Sequence, residues 1–278
     1  MANTHASLTA LFVDIADAIR EKTGDTAAIV ADDFPDVIRE RLQAAPPLPY
    51  LTFKSPNSFT LAVGDATKHW NGALEYSTDA STWSTWDGTT TLSSATSGND
   101  NVLYLRGTGN VRIAGYDPDY RWVLTGSDIA CIGNIENLLD YATVSSGLHP
   151  TMVDYCYQYM FAGCTSLTKA PALPATTLAN SCYQYMFAGC TGLTKAPTLP
   201  ATTLENYCYY SMFSGCTKIK LSTTQTGEYT QEYRIPSSGT GTTATNALTN
   251  MFTDTGGTFT GTPEINKTYY LSNTNTIV

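Results

Sequence analysis

Residues 156–181 read CYQYMFAGCTSLTKAPALPATTLANS, and residues 182–207 repeat the wording as CYQYMFAGCTGLTKAPTLPATTLENY. A third copy, CYYSMFSGCTKIKLSTTQ at 208–225, keeps the opening and then drifts. The step is 26 residues: Cys156, Cys182 and Cys208 open the copies, and Cys164, Cys190 and Cys216 recur within them. A unit this small cannot bury its own apolar face, so its copies have to stack and place equivalent side chains one above another. Cys156, Met160 and Cys164 lie four apart, the spacing of one helical face, and are expected to point inward together. Tyr157, Tyr159 and Phe161 are expected to flank that stripe, with Gln158 and Ala162 pointing away. Beyond the turn, Leu167, Ala170 and Ala172 are expected to fill the strand side of the core. That leaves Thr168, Lys169 and Pro171 facing outward, joined one copy later by Thr194, Lys195 and Pro197. This row is the candidate contact surface.

The core MFAGCTSLTKAPALP resembles the BspA-type leucine-rich repeat, through Phe161, Gly163, Cys164, Thr165, Leu167 and Thr168 and their counterparts from Phe187 to Thr194. The third copy matches from Phe213 to Thr217, with Ile219 in place of the leucine. The resemblance implies a parallel solenoid. The unit is longer than is usual in that family and carries Pro-Ala-Leu-Pro where an Ile-rich strand is common, so its strand is expected to be short.

Outside the repeats the wording changes. In residues 5–22, Leu8, Leu11, Phe12, Ile15 and Ile19 form one helical stripe, with Ser7 as cap and Gly24 as stop. A second short helix is expected to start with Asp33 as cap and Pro35 in its first turn, with Phe34, Val37, Ile38 and Leu42 as its apolar side. Two such helices bury little by themselves, so they read either as a hairpin packed on itself or as a docking module. SLTALFVDIADAIREKTGDTAAIVADDFPDVI also resembles the N-terminal segment of tail-associated proteins of bacteriophages and prophages. Next comes AAPPLP at 44–49, a stiff spacer. Short alternating stretches such as YLTF, FTLAV and VLYLRG then predict a small β-sandwich containing Trp70, Trp83, Trp86 and Trp122. Packing in the core is the default role for these tryptophans, although sugar stacking would also use them.

The expected fold class is thus mixed, mainly β with short helices. It comprises an N-terminal helical segment (1–43), a linker (44–49), a β-sandwich (50–124) and a BspA-like leucine-rich-repeat solenoid with a cap at each end (125–278).

Composition narrows the function. Charged residues make up only 14% against 42% hydrophobic, and the net charge is −9, which makes nucleic acid a poor partner. The acids concentrate in 1–43, where eight face four bases, whereas 150–220 holds two acids and four bases. The opening apolar stretch is interrupted by Asp14 and Asp17, and no run approaches the length of a membrane span, so neither export nor membrane insertion is expected. Six of the seven cysteines occupy repeat positions, which favours a reduced, buried ladder over disulfides. His5, His69 and His149 lie far apart, so no metal is expected, and no cofactor motif is present. The acid pairs Asp117/Asp119 and Asp32/Asp33 read as turn or cap residues, and the near Asp-box Tyr76–Trp83 reads as turn chemistry.

The expectation is a non-enzymatic phage or prophage tail-associated structural protein. It would be held to tail proteins by its N-terminal helices, with a homotrimer as the first expectation, and would display its repeats to a bacterial surface receptor, protein or glycan. On this view the chain is assembled in the host cytoplasm and resides in the virion tail. The alternatives are a bacterial cell-surface adhesin and a glycan-binding or glycan-cleaving module.

Overall fold

The computed structural model describes residues 48–65, 70–115 and 117–273. The two helices expected within 1–43 lie outside the described residues and gain no support. In chain order the strands are β1 (Leu51–Ser55), β2 (Thr60–Val63), β3 (Ala73–Ser77), β4 (Ser84–Trp86), β5 (Leu92–Ser93), β6 (Ala95–Ser97) and β7 (Asp100–Thr108). They continue with β8 (Trp122–Thr125), β9 (Ile129–Ile132), β10 (Leu167–Lys169), β11 (Lys220–Ser222), β12 (Tyr229–Arg234), β13 (Gly256–Gly257) and β14 (Thr268–Ser272). One α-helix is found among the described residues, α1 (Asn137–Ser145).

The chain is therefore mainly β, but the expected solenoid is not there. Its strands belong to three open sheets. The largest has the order β10-β9-β1-β7-β3-β4 with β6 beside β7, the second β12-β14-β11-β13, and the third β5-β2-β8. The resemblance predicted parallel strands running from copy to copy. Instead, β10 of the first copy pairs with β9 in the lead-in, and the matching Leu193–Lys195 is not a strand. The prolines explain this: Pro171, Pro174, Pro197 and Pro200 remove the N–H donors that a growing parallel ladder needs.

What does stack is a row of linked turns. Tyr155, Tyr159 and Gly163 take left-handed φ values of 63°, 59° and 76°, and the next copies repeat them at Ser181, Tyr185 and Gly189 and at Tyr207, Ser211 and Gly215. A left-handed residue every fourth position breaks helical continuity, so the expected helical face is not a helix. Within each row, i→i−3 bonds close the turns, as from Met160 N–H to Tyr157 O at 3.1 Å. The alternate N–H groups of Tyr155, Tyr157, Tyr159, Phe161 and Gly163 donate to Asn180, Cys182, Gln184, Met186 and Ala188 of the next row. The same pattern links the second row to the third, and the third to a final row at 246–254 whose left-handed residues are Asn246, Asn250 and Asp254.

Side chains follow the backbone. Phe161, Phe187, Phe213 and Phe252 stack at 5.6, 5.6 and 5.4 Å, and Tyr157, Tyr183 and Tyr209 at 5.4 and 5.8 Å. Cys156, Met160 and Cys164 are buried as expected, but Tyr157 and Phe161 are wholly buried rather than flanking. Gln158, expected outside, is also buried, and its Nε2 donates to Gln184 Oε1 at 2.6 Å. Phe161 joins the stack to the sheets, lying 6.1 Å from Phe53 and 6.0 Å from Trp122. A single core then runs from Leu51 to Leu271.

The seven cysteines are free thiols within this core. Cys190 Sγ donates to Phe161 O at 3.0 Å and Cys216 Sγ to Phe187 O at 3.1 Å, each reaching back one row. Burial pushes the Cys164 thiol up to about 11 and the Cys208 and Cys216 thiols up to about 12, from an ordinary value of 9.0. Below pH 9 these thiols are protonated whether the chain is folded or unfolded, so their stabilising contribution is fully present. Between pH 9 and 12 the unfolded chain releases protons that the folded chain retains, and stability falls. The urea midpoint is expected to hold from pH 7 to 8.5 and to drop steadily above pH 9; a midpoint that is flat to pH 10.5 would contradict the buried ladder.

One of the few differences between the first two copies has a steric cause. A Cβ on Gly192 would stand 2.4 Å from Thr165 O and 2.8 Å from Leu167 O, whereas its counterpart Ser166 donates its hydroxyl to Leu124 O at 3.2 Å. Gly192→Ser is expected to destabilise by about 1–3 kcal/mol, as overpacking does, whereas Ser166→Gly costs less. Paired thermal melts of the two variants check the order.

Candidate functional site

The six candidate residues occupy the ledge between the turn rows and the prolines. β10 carries Thr168 and Lys169, and Thr168 Oγ1 donates to Ile129 O of β9 at 3.2 Å. Thr194 bonds Thr168 O twice, through its N–H at 3.4 Å and its Oγ1 at 3.3 Å. The two half-buried threonines therefore serve as a strut rather than as free recognition groups. Lys169 and Lys195 are exposed, one copy apart, and among the described residues neither ammonium forms an ion pair.

The prolines depart from expectation. Pro171 is buried and Ala172 exposed, the reverse of the alternation that the sequence predicts. Ala172 is held by main-chain bonds, its N–H to Gly133 O at 2.9 Å and its O from Ile135 N–H at 3.1 Å, and this turns Pro171 inward. Buried Leu173 and Leu199 fill the place expected of the small residues. In the second copy Ala196 is buried as expected, and half-buried Pro197 accepts from Tyr233 OH at 3.3 Å. What remains as an accessible pair is Lys169 and Lys195, on a backbone tied to β9.

Three of the four tryptophans, Trp70, Trp86 and Trp122, are core residues. Trp83 is half-buried outside the core, with the Arg106 guanidinium 4.0 Å over its ring and Tyr141 4.5 Å from the same guanidinium. Glu75 Oε2 accepts from Arg106 Nε at 2.8 Å, which fixes that cation between the two rings. The loop before Trp83 is held by Asp79, whose carboxylate accepts from Thr82 N–H at 2.7 Å, Ser81 N–H at 2.8 Å and the Ser77 hydroxyl at 2.9 Å. These bonds, Thr82 first, hold the Asp79 carboxyl well below its usual range. Its role is turn chemistry. Asp117 likewise accepts from Asp119 N–H at 2.9 Å and caps the short turn Pro118–Tyr120. Among the described residues, no three His, Cys, Asp or Glu side chains are grouped to hold a metal, and no helix is long and apolar enough to cross a membrane.

Sequence reasoning passed over two tyrosines. Tyr155 and Tyr207 are 38% and 37% exposed, at left-handed positions that the final row fills with asparagine. Glu136 was also missed: it is buried, with His149 Nδ1 2.8 Å from its Oε2. Neither position carries a local sequence signal.

Lys169→Glu with Lys195→Glu inverts two surface charges that form no ion pair among the described residues. The melting temperature is expected to stay within about 2 °C of the parent, since such exposed positions contribute within about 0.5 kcal/mol. A larger fall would mean that the ammoniums support the ledge.

Comparison with protein-family models, with curated proteins and with solved structures gives no match to this chain.

Proposed function

We propose that the chain is a non-enzymatic recognition protein carried on a bacteriophage or prophage tail, presenting Lys169 and Lys195 to a receptor on the bacterial surface. The observation that carries this reading is two identical exposed ammoniums, one repeat apart, on a ledge tied to β9, in a chain of net charge −9. A cationic pair on an acidic protein orients approach and favours a receptor bearing regularly spaced negative groups. Attachment to tail proteins, as a homotrimer, is assigned to residues 1–43 on their resemblance to tail-associated proteins. The virion is then where the chain resides.

A second reading, a glycan-binding module, rests on Trp83, the tryptophan outside the core, held beside the Arg106 guanidinium. A planar ring backed by a fixed cation gives a sugar a rigid face.

The test is binding of labelled protein to a panel of bacterial strains, alongside immunogold labelling of phage particles from induced lysates. The expected outcome is labelled tails and strain-specific binding that the double lysine reversal weakens at least about tenfold, which is about 1.4 kcal/mol. Binding lost in Trp83→Ala but kept in the lysine variant would favour the glycan reading; particles without label would remove the tail assignment.

A further inference from the structure

Every turn row offers its alternate N–H groups to the carbonyls of the row that follows, and the final row, 246–254, has no row after it among the described residues. Its outer donors are Asn246, Leu248, Asn250, Phe252 and Asp254. Asn250 N–H reaches Thr262 Oγ1 at 2.9 Å and Phe252 N–H reaches Gly261 O at 2.8 Å. Asn246, Leu248 and Asp254 N–H have no acceptor among the described residues. The donors that hold the equivalent places in earlier rows, Tyr155 and Tyr157, Ser181 and Tyr183, Tyr207 and Tyr209, are all bonded. Two of the orphaned donors, those of Asn246 and Leu248, belong to residues that line a groove of about 370 Å³, bounded by Ala244, Pro263 and Ile265.

We propose that this edge is a docking site for an extended peptide segment of a partner protein, which adds to the stack as a further row. The acceptors used within the stack define what fits. Each pair of donors takes carbonyls two residues apart, Asn180 and Cys182, Asn206 and Cys208, or Thr245 and Ala247. The residue between them is left-handed: Ser181, Tyr207 and Asn246. The residue after them lays a bulky side chain on its predecessor, as Tyr183 lies on Tyr157. The incoming segment therefore offers two carbonyls flanking a residue that tolerates φ > 0, followed by a bulky apolar side chain over Leu248. This is main-chain recognition by edge addition.

Polarity excludes either edge of the stack of a second copy. Two such edges facing one another would set donors against donors. The opposite edge of the stack is already occupied: Cys156 O accepts from Ile113 and Ala114 N–H, and Met160 O from Trp122 N–H. A small anion is disfavoured because Glu264 stands on the groove wall. The site does not depend on the lysine ledge or on the receptor reading.

The experiment is an amide NMR titration of the full chain with an acetylated, amidated peptide of the sequence of residues 180–188, carrying serine for its cysteine. The Asn246 and Leu248 amides are expected to shift and their hydrogen exchange to slow at least about tenfold, while a scrambled peptide has no effect. Thr243→Trp, an exposed substitution on the groove wall, is expected to weaken the peptide at least about tenfold with the melting temperature unchanged. Four results would each overturn the proposal: amides already protected in the free chain, no shift with peptide, equal shifts with sodium acetate alone, or concentration-dependent dimerisation that Thr243→Trp abolishes.

Discussion

The main-chain bond between successive turn rows is the constraint on which the rest depends. For alternate N–H groups to point along the stack, the chain has to reverse its local twist every fourth residue, and that requires a left-handed conformation at Tyr155, Tyr159, Ser181, Tyr185, Tyr207 and Ser211. Each such residue costs about 1–2 kcal/mol relative to a right-handed one. Each cross-row bond contributes about 0.5–1.5 kcal/mol net, and the larger gain is avoiding buried, unpaired amides. Stacked rings and thiols add to the same interface. Glycine at 163, 189 and 215 and Asn246, Asn250 and Asp254 in the final row lower the strain where no side chain is needed in the core. Rows and sheets support one another: Phe161 meets Phe53 and Trp122, so the first row is also the floor of the sheet core.

The stack is directional. Donors face one way and acceptors the other through four rows, so its two edges are chemically unlike. One is closed by Ile113, Ala114 and Trp122, and at the other Gly261 and Thr262 take two of the five outer donors. The lysine ledge and the Trp83–Arg106 cluster lie on other parts of the surface. A single core thus serves several faces without any of them altering its packing.

Much of this was legible in the residues, and the failures have physical causes. The step of 26 announced stacked copies, and Cys156, Met160 and Cys164 fell inside as their spacing implied. The same spacing of four suggested a helix, because a period of four is common to helical turns and to linked turns with a left-handed fourth residue. Tyrosine at 155 and 159 concealed the difference, since only glycine or asparagine there would have announced it. Gln158 was assigned outward by the helical spacing, yet the chain is not helical there and an identical neighbour one row away accepts from its buried amide nitrogen. Pro171 and Ala172 exchanged places because pairing with Gly133 and Ile135, remote in sequence, overrode local alternation. The family resemblance led to a solenoid, but the prolines that made its strand short also prevented its sheet. At the site, the exposed lysines were readable from charge. The strut between Thr168 and Thr194 was not, because it needs the third dimension.

Near-identical neighbouring copies create an ambiguity of register, since any row could pair with the wrong partner and still satisfy most of its bonds. Ser166 and Gly192 act as a key against that error. A chain shifted forward by one copy would thrust the Ser166 Cβ into carbonyl oxygens that only glycine clears, and one shifted back would leave Leu124 O facing Gly192, which has no hydroxyl to offer. The difference lies in the seam between copies, where a misplaced row is felt at once. A single methylene and hydroxyl therefore fix the order in which duplicated segments assemble, so that duplication lengthened the stack without making its threading degenerate.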